Sequence, residues 1–111
     1  MKQALPKGAD QKRRKGDKRF WFADKRIGTV YRVSATPYNA HDKATRNKYG
    51  NLYWVKPHMA EVSSEFEVGR GLHTNRNAAY AWLIGSYNDD IEKITQKLRR
   101  AAVEIAAVEI A

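Results

Sequence analysis

The sequence predicts an α+β fold: a three- or four-stranded antiparallel sheet packed on a C-terminal amphipathic helix, preceded by a disordered basic N-terminal arm. Three observations carry this reading. Apolar alternation with a period of two recurs in short runs between residues 27 and 68, the pattern of half-buried strands. From about residue 75 the apolar spacing changes to threes and fours, the pattern of one helix face. The first 19 residues, MKQALPKGADQKRRKGDKR, hold eight basic and two acidic residues and no aromatic. So little apolar surface does not offset the entropy of ordering a chain. The expected organisation is an arm over 1–19, a small α+β domain over 20–84 and a helical extension over 85–111.

Each element has its own justification. Aromatics begin abruptly at Phe20-Trp21-Phe22, giving a short strand or a lid over residues 19–23. In residues 27–35 (IGTVYRVSA), Ile27, Tyr31, Val33 and Ala35 share one face, with Gly28, Arg32 and Ser34 on the other. Val30 breaks that alternation and marks a bulge or a second packed face. Residues 36–50 are polar, contain Pro37 and Gly50, and form a hairpin connection longer than the usual two to five residues. Residues 51–56 (NLYWVK) make the next strand, ended by Pro57. Residues 62–68 (VSSEFEV) alternate most cleanly, with Val62, Phe66 and Val68 inward, and Gly69 and Gly71 then mark a turn. Thr74 is a suitable N-cap for a helix from about Asn75. Ala79, Trp82 and Leu83 open its apolar stripe, and Gly85-Ser86 is the expected weak point. The stripe continues through Tyr87, Ile91, Ile94, Leu98, Ala102 and Ile105, close to a heptad seam. Acidic Asp89, Asp90 and Glu92 suit a fresh helix start. The last eleven residues repeat AAVEI twice before a final Ala. That repeat reads as a duplication, an appended artefact or a helix end that buries itself in a partner.

Composition sets the class of protein. At 111 residues the chain makes one small domain with appendages. It has no cysteine, which excludes disulfides, thiolate nucleophiles and Cys-based zinc sites. Mean hydropathy is −0.73, no apolar run follows the basic start, and none approaches the roughly 20 residues of a membrane span. A soluble, cytoplasmic protein without cofactor or metal is the expectation.

Charge points to the partner. Residues 1–58 hold 15 Lys and Arg against 4 Asp and Glu, whereas residues 59–111 hold 6 against 8. A field this lopsided attracts polyanions, above all nucleic-acid phosphate, where counterion release drives association. Lys7, Lys12, Arg13, Arg14, Lys15, Lys18 and Arg19 on the arm would grip phosphate without reading sequence, unless the arm is only a solubilising tail. Lys43, Arg46 and Lys48 in the long loop would add a second contact. The strands would present Arg32 and Lys56 beside Tyr31, Tyr53 or Trp54, as a ribbon in a major groove or as a platform for unpaired bases. Tyr53 and Trp54 point to opposite faces, so only one is exposed and the other packs in the core. Glu65 and Glu67 confine the surface to the first two strands and the loop.

The stretch Phe66-Glu67-Val68-Gly69 to Thr74, followed by Ala78-Ala79-Tyr80-Ala81-Trp82, resembles the AP2/integrase-type DNA-binding domain. The resemblance covers roughly residues 27–84. It implies a third strand ending near a glycine, a Thr-capped helix and packing of that helix on the sheet through small and aromatic residues. Two departures stand out. Asn75, Arg76 and Asn77 replace the acidic residues after the cap, and the family's reading-strand pattern is present only in part, in Arg32, Tyr53, Trp54 and Lys56.

Catalytic signals are sparse. His41, His58 and His73 lack metal-site spacing, and no Gly-rich phosphate loop occurs. His58, Arg70 and His73 would resemble a small basic nuclease site only if the fold brought them within hydrogen-bond reach. The leading expectation is therefore a non-enzymatic nucleic-acid-binding protein, with DNA favoured. The alternative is a phage-type inhibitor that binds a host nucleic-acid-processing protein or nucleoprotein complex, in keeping with the character of small phage and mobile-element proteins. Tyr87, Ile91, Ile94, Leu98, Ala102 and Ile105 would then form a protein interface, with a target or in a homodimer, if they do not pack on the chain's own sheet.

Overall fold

The computed structural model describes residues 9–38 and 50–110. It contains β1 (Lys18–Asp24), β2 (Thr29–Pro37), β3 (Leu52–Val55), β4 (Ser64–Val68), β5 (Gly71–His73) and α1 (Arg76–Ile110). The α+β class and the C-terminal helix are as expected. The sheet differs: it has five strands and closes into a small barrel in the order β1-β2-β3-β4-β5. Neighbours are antiparallel except β4 and β5, and β5 returns to β1 through Trp21↔His73 and Phe22↔Leu72. Three-residue β5 is too short for periodicity to reveal. Gly71, which looked like turn punctuation, is its first residue. A Cβ there would meet the Phe66 ring at 3.4 Å, and its φ of 110° belongs to glycine.

The barrel interior is apolar. Phe20 and Phe22 of β1, Tyr31, Val33 and Ala35 of β2, Val55 of β3 and Leu72 of β5 are buried together, with Tyr53, Phe66 and Val68 packed against them. Edge-to-face contacts of Phe22 with Tyr31 (5.6 Å) and Phe66 (4.7 Å) set the ring arrangement. Val62, expected to face in, precedes β4 and is 71% exposed. Ile27 lies in the β1–β2 turn and is also exposed.

A second core lies outside the barrel. Ala23 and Val30 point outward and are covered by Ala79 and Leu83 of α1, with Trp21, Tyr80, Trp82 and Tyr87 around them. Val30 thus marks a second packed face. β1 is buried on both sides, which explains why FWFA shows no alternation. Two contacts fix the helix along β1: the Tyr87 hydroxyl donates to the Lys25 carbonyl (2.5 Å), and Lys25 pairs with Asp90 (2.7 Å).

The helix cap is Asn75, not Thr74. Its Oδ1 accepts from the backbone N–H of Asn77 (2.8 Å) and Ala78 (3.2 Å). No break occurs at Gly85-Ser86, because Leu83 and Tyr87 anchor the helix on either side. Those contacts outweigh the roughly 1 kcal/mol that glycine costs a helix interior. For the same reason Asp89, Asp90 and Glu92 start no new helix.

The largest correction concerns the expected arm. Residues 9–17 are ordered along β2, and residues 18 and 19 belong to β1. β2 and β3 pair only at Thr36↔Trp54 and Pro37↔Tyr53, and Gln11 bridges them where that pairing ends. Its backbone N–H donates to the Arg32 carbonyl (2.9 Å). Its side-chain amide accepts from the Ser34 N–H (3.2 Å) and donates to the Lys56 carbonyl (2.8 Å). Asp10 accepts from the Arg32 N–H (2.9 Å), and the Ala9 methyl is buried in the interior. Asp17 accepts from the hydroxyls of Ser34 (2.6 Å) and Thr36 (2.9 Å). Polarity misled the sequence reading here, since the polar groups bond to the sheet and not to water.

Candidate nucleic-acid interface

Ordering the N-terminal backbone brings its cations to the surface beside β2. Lys12, Arg13, Arg14 and Lys15 lead into a tight turn in which the Asp17 N–H donates to the Arg14 carbonyl (3.0 Å) and Gly16 takes a φ of 85°. The Arg14 N–H donates to Ser34 Oγ (3.0 Å), tying the turn to the outside of β2. All four side chains are exposed. Arg19 lies opposite Ser34 and reaches the Gln11 carbonyl (3.2 Å). Lys18 sits over the Phe20 ring at 5.3 Å, and Lys56 is exposed beside Gln11.

One register step further along this outer face, Trp21 pairs with Arg32 on one side and His73 on the other. The Arg32 guanidinium lies 4.9 Å from the Trp21 ring centre and the Arg76 guanidinium 5.6 Å from it, with Arg76 also 5.7 Å from Tyr80. Arg32 Nε is buried and without a hydrogen-bond partner. Each such contact is worth about 0.5–2 kcal/mol and fixes a guanidinium without neutralising it.

The aromatic pair of β3 divides as alternation requires. Tyr53 turns inward against Phe20 (4.8 Å), so it is not available to a ligand. Trp54 turns outward, 37% exposed, and stacks on Tyr38 at 5.5 Å. Across from Trp54 on β4 stands Glu65, where the basic face ends.

Ion pairs among the described residues are Lys25–Asp90, Arg26–Asp24 and Arg70–Glu67. Lys12, Arg13, Arg14, Lys15, Lys18, Arg19, Arg32, Lys56 and Arg76 therefore have no carboxylate partner among those residues. The two acids within the segment, Asp10 and Asp17, are engaged by backbone N–H or hydroxyl groups. Lys7, His41, Lys43, Arg46 and Lys48 lie outside the described residues.

At the far end of the barrel the charges are spent internally. Buried Asp24 accepts from Tyr31 Oη (2.7 Å) and from the Arg26 side chain (3.1 and 2.8 Å). His58 contributes its backbone: its N–H donates to Tyr31 Oη (2.8 Å) and its carbonyl accepts from Arg26 (2.7 Å). Burial pushes the Tyr31 hydroxyl well above its ordinary range, reinforced by the bond to Asp24. A cavity of about 320 Å³ opens beside this network, between Phe22, Pro57, Phe66, Arg70 and Trp82. The His58 ring is 6.3 Å from Tyr31 and the His73 ring 6.0 Å from Trp82, and no hydrogen bond among the described residues joins either to Arg70. No cluster that could hold a metal ion occurs among the described residues, and no helix there is long and apolar enough to cross a membrane.

Sequence reasoning missed Trp21, Tyr38 and Arg76. Arg76 left a trace, since a cation in the first helical turn opposes the helix dipole, and this first turn contains no acid. Comparisons with protein-family models, curated proteins and solved structures each returned no match.

Proposed function

We propose that this protein binds nucleic acid without catalysis, through the outer face of β1 and β2 and the ordered basic turn beside them. The observation that carries this reading is that Arg19, Arg32 and Arg76 on the outer face, with Lys12, Arg13, Arg14 and Lys15 of the adjoining turn and Lys18 and Lys56 at the strand ends, have no carboxylate partner among the described residues. Unpaired cations carried on an ordered backbone are available to phosphate, and counterion release then drives association.

Duplex DNA is the favoured ligand. The aromatic rings of this face are already engaged: Trp21 by Arg32 and Arg76, Trp54 by Tyr38. Stacking of unpaired bases needs free ring faces, whereas phosphate contact needs only the guanidinium and ammonium groups. The AP2/integrase resemblance adds to this reading the use of a strand face toward DNA. The experiment is fluorescence anisotropy with labelled duplex DNA, single-stranded DNA and RNA while salt is varied. Replacing Lys12, Arg13, Arg14 and Lys15 by Gln weakens binding to all sequences alike and lowers the salt slope by about 3–4. An unchanged slope in that variant overturns the assignment.

A further inference from the structure

We propose that the C-terminal half of α1 pairs antiparallel with the same segment of a second copy of this chain. At 1.5 Å per residue, the 35-residue helix is about 52 Å long, and its barrel contacts end at Asp90. Beyond that point Ile91, Ile94, Leu98, Val103, Ile105 and Val108 are each 60–74% exposed. A helix in a protein draws most of its stability from packing an apolar face, and a projecting stretch of about 20 residues that exposes this much apolar surface gains it from a partner.

The spacing specifies a helical one. Ile91, Leu98 and Ile105 occupy a positions and Ile94, Ala101 and Val108 occupy d positions of an unbroken heptad seam. Ala101 thus takes the place on the seam that spacing alone assigned to Ala102. The earlier d residue, Tyr87, is committed to the barrel, so the free seam starts at Ile91. Ala101, Glu104, Ile105 and Val108 line a shallow depression. These residues stand at i, i+3, i+4 and i+7, the four that form a hole for a partner's knob.

Charge selects the direction. In a parallel pair Asp90 meets Thr95 and Lys97 meets Ala102 across the seam, with no attraction from either. In the antiparallel register that places Ile91 on Val108, Ile94 on Ile105 and Leu98 on Ala101, Lys97 of each copy faces Glu104 of the other. Ile94 of one copy then enters the hole around Ala101 of the other. The two-fold axis passes between residues 99 and 100, which leaves both barrels clear at opposite ends.

The full chain has no cysteine, so introduced thiols report the register. Sedimentation equilibrium at tens of micromolar gives twice the 12.7 kDa chain mass. Mixing an I94C chain with an I105C chain under oxidation gives a disulfide-linked dimer, while I105C alone gives little. K97E weakens the dimer roughly tenfold, and K97E/E104K restores it. A monomer at 100 µM, efficient cross-linking of I105C alone (the parallel arrangement), or no recovery in the double variant overturns the proposal.

Discussion

Replacing Gln11 by Ala separates an ordered N-terminal segment from a solvated arm. The side-chain amide accepts from the Ser34 N–H and donates to the Lys56 carbonyl. Alanine removes both bonds. Ser34 is 7% exposed, so its N–H is left without a partner at a cost of about 1–3 kcal/mol. The Lys56 carbonyl is in an exposed residue and recovers water, which adds about 0.5 kcal/mol or less. The total is about 2–3 kcal/mol, which lowers Tm by about 10 °C in a domain of this size. Urea unfolding followed by tryptophan fluorescence reads it directly, because Trp21 and Trp82 border the second core. Gln11→Glu is the companion variant: it keeps the acceptor but loses the donor, and falls between alanine and wild type. A change below about 0.5 kcal/mol for Gln11→Ala refutes the bridge between β2 and β3.

Acid weakens the fold in two stages. Burial holds the His73 imidazole below its ordinary 6.5, so below about that pH the unfolded chain binds a proton that the native state resists, and stability falls. His73→Phe abolishes the drop in urea midpoint between pH 7.5 and 5.5. Burial alone would raise the Asp24 carboxyl, but hydrogen bonds from Arg26 and Tyr31 together with the guanidinium charge hold it below 3.8. Its contribution is present above that value and is lost as pH falls through the lower native one, so a second decline in the same titration appears only below about pH 4. Met59 is 86% exposed with a φ of 64°, in a turn closed by the Ala60 N–H to the Pro57 carbonyl (3.0 Å). Met59→Gly relieves that strain and raises stability by about 0.5–1 kcal/mol, seen as a higher urea midpoint at unchanged slope.

Legibility of the fold followed the range of the forces. The residues 62–68 strand and the helix stripe are local patterns, and both are present with boundaries shifted by one or two residues. β5 and the order of residues 9–17 depend on partners far away in sequence: Leu72 on Phe22, Gln11 on Ser34 and Lys56. Polarity alone does not distinguish a segment bonded to water from one bonded to a sheet edge. The same limit applies to the candidate face. The cations Lys12 to Arg19 were visible as a charge run. The Arg32–Trp21–Arg76 grouping is created by cross-strand register and by where the helix starts, and only the unusual Arg76 hinted at it. Tyr53 and Trp54 were correctly opposed by period-2 logic, but which one faced water depended on the barrel closing around Phe20.

The most direct test of nucleic-acid binding by this face is the salt dependence of affinity for a duplex of about 20 base pairs, measured by anisotropy for wild type and for Arg32→Gln/Arg76→Gln. Wild type shows a steep linear log–log fall with salt. The double variant binds more weakly with a slope smaller by about 2, and duplex is preferred over single strands in both. Binding with no salt slope, or a slope unchanged by the loss of both arginines, contradicts the assignment of this face to nucleic acid.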